Sequence, residues 1–592
     1  MRAILKTPFA ASMTAIAAAL ALGACDLSPN GGGSDPTYTE AEIKAESARL
    51  NAWFEETYEK ELLESPIQLT FLGRDERQDE IDCFTLACMD AAMARTRAYA
   101  KELETEFDYA KLSDDAKVSY DIWMYQARAD EASDAFRGNS YVFEQMQAVH
   151  AFFPQLLIAF HKVTDKEDME NYQARLTASA RALNELIDIS EALAAEGVRP
   201  PYFAFDSVIE EANKILTGVP FENSEEDSAI WADAKAKVRD LRSKDLVTEE
   251  EAKALLRGIR GALTGDFKAA YKRLIAWQKA DRVNAAPQAQ GVSALPDGIA
   301  YYNERLANQT TTGLTADEIH EIGLEEVARL RADMEAIKAE FGFDGTLAEF
   351  FLFLRDTKDD ERLYYPNTDV GRQGYIDDAT AAIDKIKAVL PDYFGILPKA
   401  DMVVKRVEAF REQDGAAQHY YPPTPDGSRP GTYYAHLSDM TAMPKRELEV
   451  IAYHEGLPGH HMQIAIAQEL EGVPTFRTQT GITAYVEGWA LYSEFLASEM
   501  PGTFEDPLSE FGRLGSEIWR AIRLVVDTGL HAKGWSEEEA VQYFMANSAI
   551  TEAQARSEVR RYLVLPGQAT SYKIGMIKIQ DLRKHAKEEL GD

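Results

Sequence analysis

The chain has 592 residues, 45% hydrophobic and 10% aromatic, which is enough apolar material for sizeable buried cores. That length exceeds one ordinary domain and calls for one large two-lobed unit or for two domains. Its formal net charge of −36 argues against nucleic acid as a partner, because phosphate binding needs clustered Lys and Arg.

The first 25 residues read as an export address. Arg2 and Lys6 form a charged start, residues 9–22 are an Ala-dominated apolar run, and Leu22-Gly23-Ala24-Cys25 closes it. The run is short for a membrane span. The closing quartet resembles the bacterial lipobox. This implies a signal peptide over residues 1–24, lipidation of the Cys25 thiol, and an anchored place in the cell envelope on the periplasmic face of a membrane. A plain secretory signal with an incidental cysteine is the alternative. Residues 25–37, rich in Gly, Ser and Pro, make a flexible tether. Cys83 and Cys88 are the other two cysteines. In an exported chain they form either a small-loop disulfide or two buried thiols.

The body of the chain predicts a mainly α-helical fold. A Ser or Thr is followed three residues later by Glu or Gln at Thr39/Glu42, Thr248/Glu251, Thr315/Glu318, Ser536/Glu539 and Thr551/Gln554, the pattern of a capping box. Behind Thr315, the residues Ile319, Ile322, Val327, Leu330, Met334 and Ile337 keep a helical period. Residues 285–297 form the best internal linker, between an N-terminal helical half (38–284) and a C-terminal half (298–592). The clearest strand is 431–437, "GTYYAHL", between a Pro-rich turn region and Pro444.

The stretch "YHEGLPGHHMQ" over 453–463 opens like the zinc-peptidase motif. In that motif two histidines four apart lie about 40° apart around a helix and share one ion. The glutamate after the first His is the general base for the attacking water. Here the fourth position holds Pro458, and two histidines follow at His460 and His461. On a straight helix His454 and His460 stand about 240° apart, and His454 and His461 about 10 Å apart along the axis. Pro458 cannot bond the His454 carbonyl and clashes with it, and Gly459 permits unusual backbone angles. The helix is therefore expected to bulge and return His460 towards His454, with His461 as the rival ligand. A catalytic zinc takes three protein ligands and keeps a position open. Glu487 in "YVEGWALYSE", 27 residues after His460, is the expected third. Glu494 is placed to orient a ligand histidine from behind, or is an ordinary surface charge.

Together "HEGLPGHHMQ", "YVEGWALYSE", "RLVVDTGLH" (523–531) and "LPGQATSYKIG" (565–575) resemble a bacterial family labelled a domain of unknown function. Its motif places that family among the gluzincin metallopeptidases. More distantly it is similar to thermostable carboxypeptidases, oligopeptidases and angiotensin-converting enzyme. The resemblance implies a large two-lobed zincin-like peptidase fold with a small β-sheet beside the metal-binding helix. It also implies one Zn²⁺ on His454, His460 and Glu487, Glu455 as general base, and peptides as substrate. In the similar peptidases a tyrosine, often helped by a histidine, donates to the oxyanion. This points to Tyr572 and then His531, whose ring Asp527 would hold from one helical turn away. "GTYYAHL" resembles the edge strand to which substrate adds in such enzymes, so Tyr433 and Tyr434 are expected at the substrate or in the core. Of Arg556, Arg560 and Arg561, Arg560 is taken as the arginine that grips a substrate carboxylate, with structural ion pairs as the alternative.

The expected function is zinc-dependent peptide hydrolysis at the cell envelope. A metallohydrolase of another amide or ester, and a non-catalytic zinc-containing binding lipoprotein, are the rivals.

Overall fold

A computed structural model describes residues 38–407, 412, 418–425, 427 and 429–591 of the chain. The signal peptide, Cys25 and the tether lie outside the described residues. What is described is mainly helical, with one small three-stranded sheet.

Local chemistry starts many of these helices. All five Ser/Thr–Glu/Gln pairs named above are capping boxes, with side chain bonded to backbone in both directions. Thr346/Glu349 and Asp165/Asp168 add two more. Cys83 and Cys88 are joined as a disulfide.

The N-terminal helices bury their own core around Tyr172, Leu183, Phe267 and Tyr271. Other clusters cross between the halves. Phe476 inserts among Leu50, Phe54 and Trp123, and Phe203 joins Ile518, Phe544 and Tyr562. The stretch read as a linker is packed down rather than free. Val292 in it is fully buried, and its N–H donates to His531 Nδ1 at 3.0 Å.

The sheet consists of β1 (Met402–Arg406), β2 (His419–Tyr421) and β3 (Gly431–Ala435) in the order β1-β3-β2. β3 pairs parallel with β1 and antiparallel with β2. "GTYYAHL" therefore supplies the central strand, not an edge. Both of its backbone rims are already bonded, so no substrate strand can add to it.

The floor beside the sheet is built from close-packed helices. Helix Thr483–Ala497 lies against helix Ser571–Leu590, and the two touch at Gly488 and Gly575. A Cβ on Gly575 would stand 2.0 Å from the Ala484 carbonyl oxygen, so only glycine permits this approach. The long helix Pro507–Ala532, buried over most of its length, packs along helix Ala316–Phe341.

Candidate metal centre

Helix Leu448–Glu455 carries His454 and Glu455 in its last turn. It does not bulge and continue. At Gly456 the backbone leaves the helical region (φ −102°, ψ −115°), Leu457-Pro458 is a cis peptide, and a second helix, His460–Gln468, starts after Gly459. Proline and the surrounding packing together break the helix. The Gly459 N–H donates to the Tyr453 carbonyl at 3.0 Å, and the Pro458 carbonyl accepts from Trp489 Nε1 at 2.9 Å and Ser493 Oγ at 3.1 Å. The helix that carries Glu487 thus also pins the break.

The break brings His460, not His461, opposite His454. The two imidazole rings lie 4.8 Å apart, nearly perpendicular. Glu487 Oε2 is 3.8 Å from His454 Nε2 and 3.5 Å from His460 Nε2. The edges of a tetrahedron with metal bonds near 2 Å are about 3.3 Å, so small side-chain movements suffice to bind one ion. Among the described residues this is the one group of three or more His, Cys, Asp or Glu placed to share an ion. His461 points elsewhere: Nδ1 accepts from the Tyr420 hydroxyl at 2.8 Å and Nε2 donates to the Ala400 carbonyl at 3.0 Å. It has no nitrogen left for a metal.

Behind His454, Nδ1 bonds Glu494 Oε1 at 2.7 Å, and both groups are buried. Burial and the neighbouring His460 hold His454 neutral, well below the usual imidazole range. A neutral ring that donates from Nδ1 keeps its Nε2 lone pair facing Glu487 and His460, as a ligand must. Burial works to raise Glu487, but the His460 imidazole 3.5 Å away outweighs it and holds its carboxyl at about 2. Glu455 is buried, and its Oε2 lacks any partner. Burial pushes its carboxyl up to about 8. The donor set and the orphaned oxygens of Glu455 and Glu487 fit a dication, whose charge would offset the cost of burying them.

His454, Glu455 and Glu494 line a cavity of about 440 Å³. Met146 from the N-terminal half and the helices Pro507–Ala532 and Glu552–Val564 contribute to its wall. That wall also holds Arg446, Arg520 and Arg523, which the sequence did not single out, and Arg561, which it offered beside Arg560.

The remaining expected residues divide. Tyr572 is buried beside this arginine group. Its ring lies under Arg523, 4.7 Å from the guanidinium carbon, and its hydroxyl accepts from Arg561 at 3.3 Å. His531 is fully buried with both nitrogens engaged, by Val292 N–H and by the Tyr562 carbonyl, so it has no proton to offer an oxyanion. Asp527 does not hold His531; it accepts from the Tyr302 hydroxyl at 2.6 Å and the Gly567 N–H at 3.1 Å. Tyr433 is core, its hydroxyl bonded to that of Tyr375 at 2.8 Å, and Tyr434 stacks on His419 across the sheet. Arg560 pairs with Glu537 at 2.8 Å and bonds Tyr202, away from the cavity, whereas its neighbour Arg561 faces in.

These features define a largely helical protein with a His₂Glu cluster whose His454 lines a cavity walled mainly by the C-terminal half. The chain belongs to the family described as bacterial protein of unknown function (DUF885), whose profile matches residues 66–592. It is similar to the crystal structure of a candidate lipoprotein from Colwellia psychrerythraea, with 27% identity and a TM-score of 0.83 over 92% of this chain and 94% of that one. A candidate lipoprotein of unknown function from Shewanella oneidensis shares the fold at 17% identity, with a TM-score of 0.66 over 92% of this chain and 94% of that one. No curated protein matches the chain. Among the described residues no helix is long and apolar enough to cross a membrane.

Proposed function

We propose that the chain is a zinc-dependent peptidase of gluzincin type, with a two-lobed zincin-like fold, held by a lipid on Cys25 at the cell envelope. One observation carries the reading: His454, His460 and Glu487 converge beside a buried Glu455 with an orphaned oxygen, where His454 and Glu455 line a cavity of about 440 Å³. A structural zinc site has four closed ligands and needs no base; this one offers three ligands and a base. The lipoprotein description of similar structures supports the anchored location.

His454, His460 and Glu487 would hold a zinc ion, which when bound would supply Lewis-acid polarisation of the scissile carbonyl and a lowered pKa of the attacking water. Glu494 keeps His454 in the tautomer that presents Nε2. Glu455 takes the proton of the attacking water and returns it to the leaving amine. Tyr572 donates its hydroxyl hydrogen to the developing oxyanion, with Arg561 holding the hydroxyl in place.

The test is metal content and turnover together. Purified protein should carry about one zinc per chain and hydrolyse members of a broad peptide library. Protein that neither retains nor takes up zinc, or zinc-loaded protein that cleaves esters and non-peptide amides but no peptide, would sink the proposal.

A further inference from the structure

The cavity wall carries arginines whose ion-pairing and hydrogen-bonding capacity its own structure does not use up. Arg520, Arg523 and Arg561 share a single paired carboxylate, Glu558, which lies 3.0 Å from Arg523 and 3.7 Å from Arg561. Arg520 has no ion pair among the described residues; its guanidinium bonds the hydroxyl and carbonyl of Ser516 on its own helix. Counted by ion pairs, three guanidinium groups meet one carboxylate; Glu455 and Glu494, which line the same cavity, form no ion pair with them among the described residues. The cations in the neighbouring core are treated differently. Arg513 is matched by Glu510 and Glu517, and Lys573 by Glu517 and Glu326.

The hydrogen bonds repeat the imbalance. Arg520 Nε, Arg523 Nη1 and Arg561 Nε are buried with no acceptor. A buried guanidinium N–H without a partner is costly, and a carboxylate is the acceptor that its planar fork fits best. The group is also held in place. Arg523 Nε donates to the Tyr562 hydroxyl at 3.1 Å and Arg561 Nη2 to Gln568 Oε1 at 2.9 Å. A ligand would find donors already ordered. The charges stand close enough to the metal centre to act on it: Arg520 on His454, Glu455, His460 and Glu494, and Arg561 on Glu487.

We infer that Arg520, with Arg523 and Arg561, is a carboxylate-binding subsite that selects peptides bearing a free carboxylate near the scissile bond. This rests on the peptidase reading for its substrate and assigns a specificity to it. The carboxylate is either a peptide C-terminus or an acidic side chain, and the test separates the two.

Zinc-loaded Glu455→Gln protein, in which turnover is stopped, is titrated calorimetrically with matched peptides: free acid, C-terminal amide, and the same peptide with each Asp or Glu changed to Asn or Gln. The same peptides give kcat/KM on the parent. One of the neutralisations should weaken binding and lower kcat/KM by about tenfold or more. Amidation as the sensitive change assigns the subsite to the C-terminus; a side-chain change assigns it to an acidic residue. Arg520→Gln, which breaks no ion pair, should erase the difference, chiefly through KM, with zinc content retained. Arg520→Lys keeps the charge but not the fork, and should recover only part of it. The inference is overturned if no neutralisation changes binding more than about twofold, or if Arg520→Gln weakens acid and neutral peptides alike. If the parent cleaves nothing, yet the Arg520-dependent difference in binding persists, the peptidase reading fails and the subsite stands.

Discussion

Glu455 is the residue on which the proposed chemistry turns. Its carboxyl is buried directly after His454, a proposed zinc ligand, and one oxygen has no partner. Glu455→Gln keeps the size and hydrogen-bonding capacity of the side chain but cannot accept a proton. Peptide hydrolysis should fall by about 10²–10⁴-fold, with zinc content and melting temperature close to the parent's. Hydrolysis at the parent rate would remove Glu455 as base. The neighbouring histidines make a second residue-scale test. His460→Ala should lose zinc, whereas His461→Ala should keep it and lose about 1–3 kcal/mol of stability through the abandoned Tyr420 and Ala400 bonds. Zinc loss in the His461 variant alone would reverse the ligand assignment. The placing of His454, His460, Glu487 and Glu494 was legible because helix geometry converts spacing into direction. His531, Asp527 and the arginines were not. A histidine in a core and one in a site have the same local sequence, and only packing shows whether a guanidinium faces solvent or a cavity.

At the scale of the element, caps were readable because both partners lie within four residues. The path of the chain through 456–459 was only half readable. Pro458 forbids a regular helix, but whether it bulges or breaks depends on what surrounds it. Here Trp489 and Ser493 seize the Pro458 carbonyl from another helix. The rank of "GTYYAHL" in its sheet was not readable at all, since a central strand and an edge strand share the same residue preferences. Gly459 is the element's weak point. A Cβ there would lie 2.0 Å from the His454 carbonyl oxygen and 2.3 Å from that of Tyr453. Gly459→Ala should cost about 1–3 kcal/mol by overpacking. Because the displaced carbonyl belongs to His454, a proposed ligand, zinc affinity should fall with it. Unchanged zinc affinity would show that the break is not what positions His454 against His460.

For the whole molecule, composition and periodicity gave helical halves but could not show that they share cores. Met146 of the N-terminal half also lines the cavity whose other walls belong to the C-terminal half. Phe476 is the clearest joint. It lies between the helix that begins at His460 and the helix that carries Glu487, and it is 2% exposed. Its ring is 5.0 Å from both Phe54 and Trp123 of the N-terminal half. Phe476→Ala empties a ring-sized space inside that cluster, which costs about 3–5 kcal/mol. The cluster contains residues of both halves, so the loss should appear as one cooperative calorimetric transition moved to lower temperature. Zinc content below that transition should be unchanged, because no ligand or ligand-holding bond is touched. If instead the parent melts in two separate steps and the variant shifts only one of them, the halves are independent folding units. Met146 would then meet the cavity across a junction of two domains rather than within the interior of one.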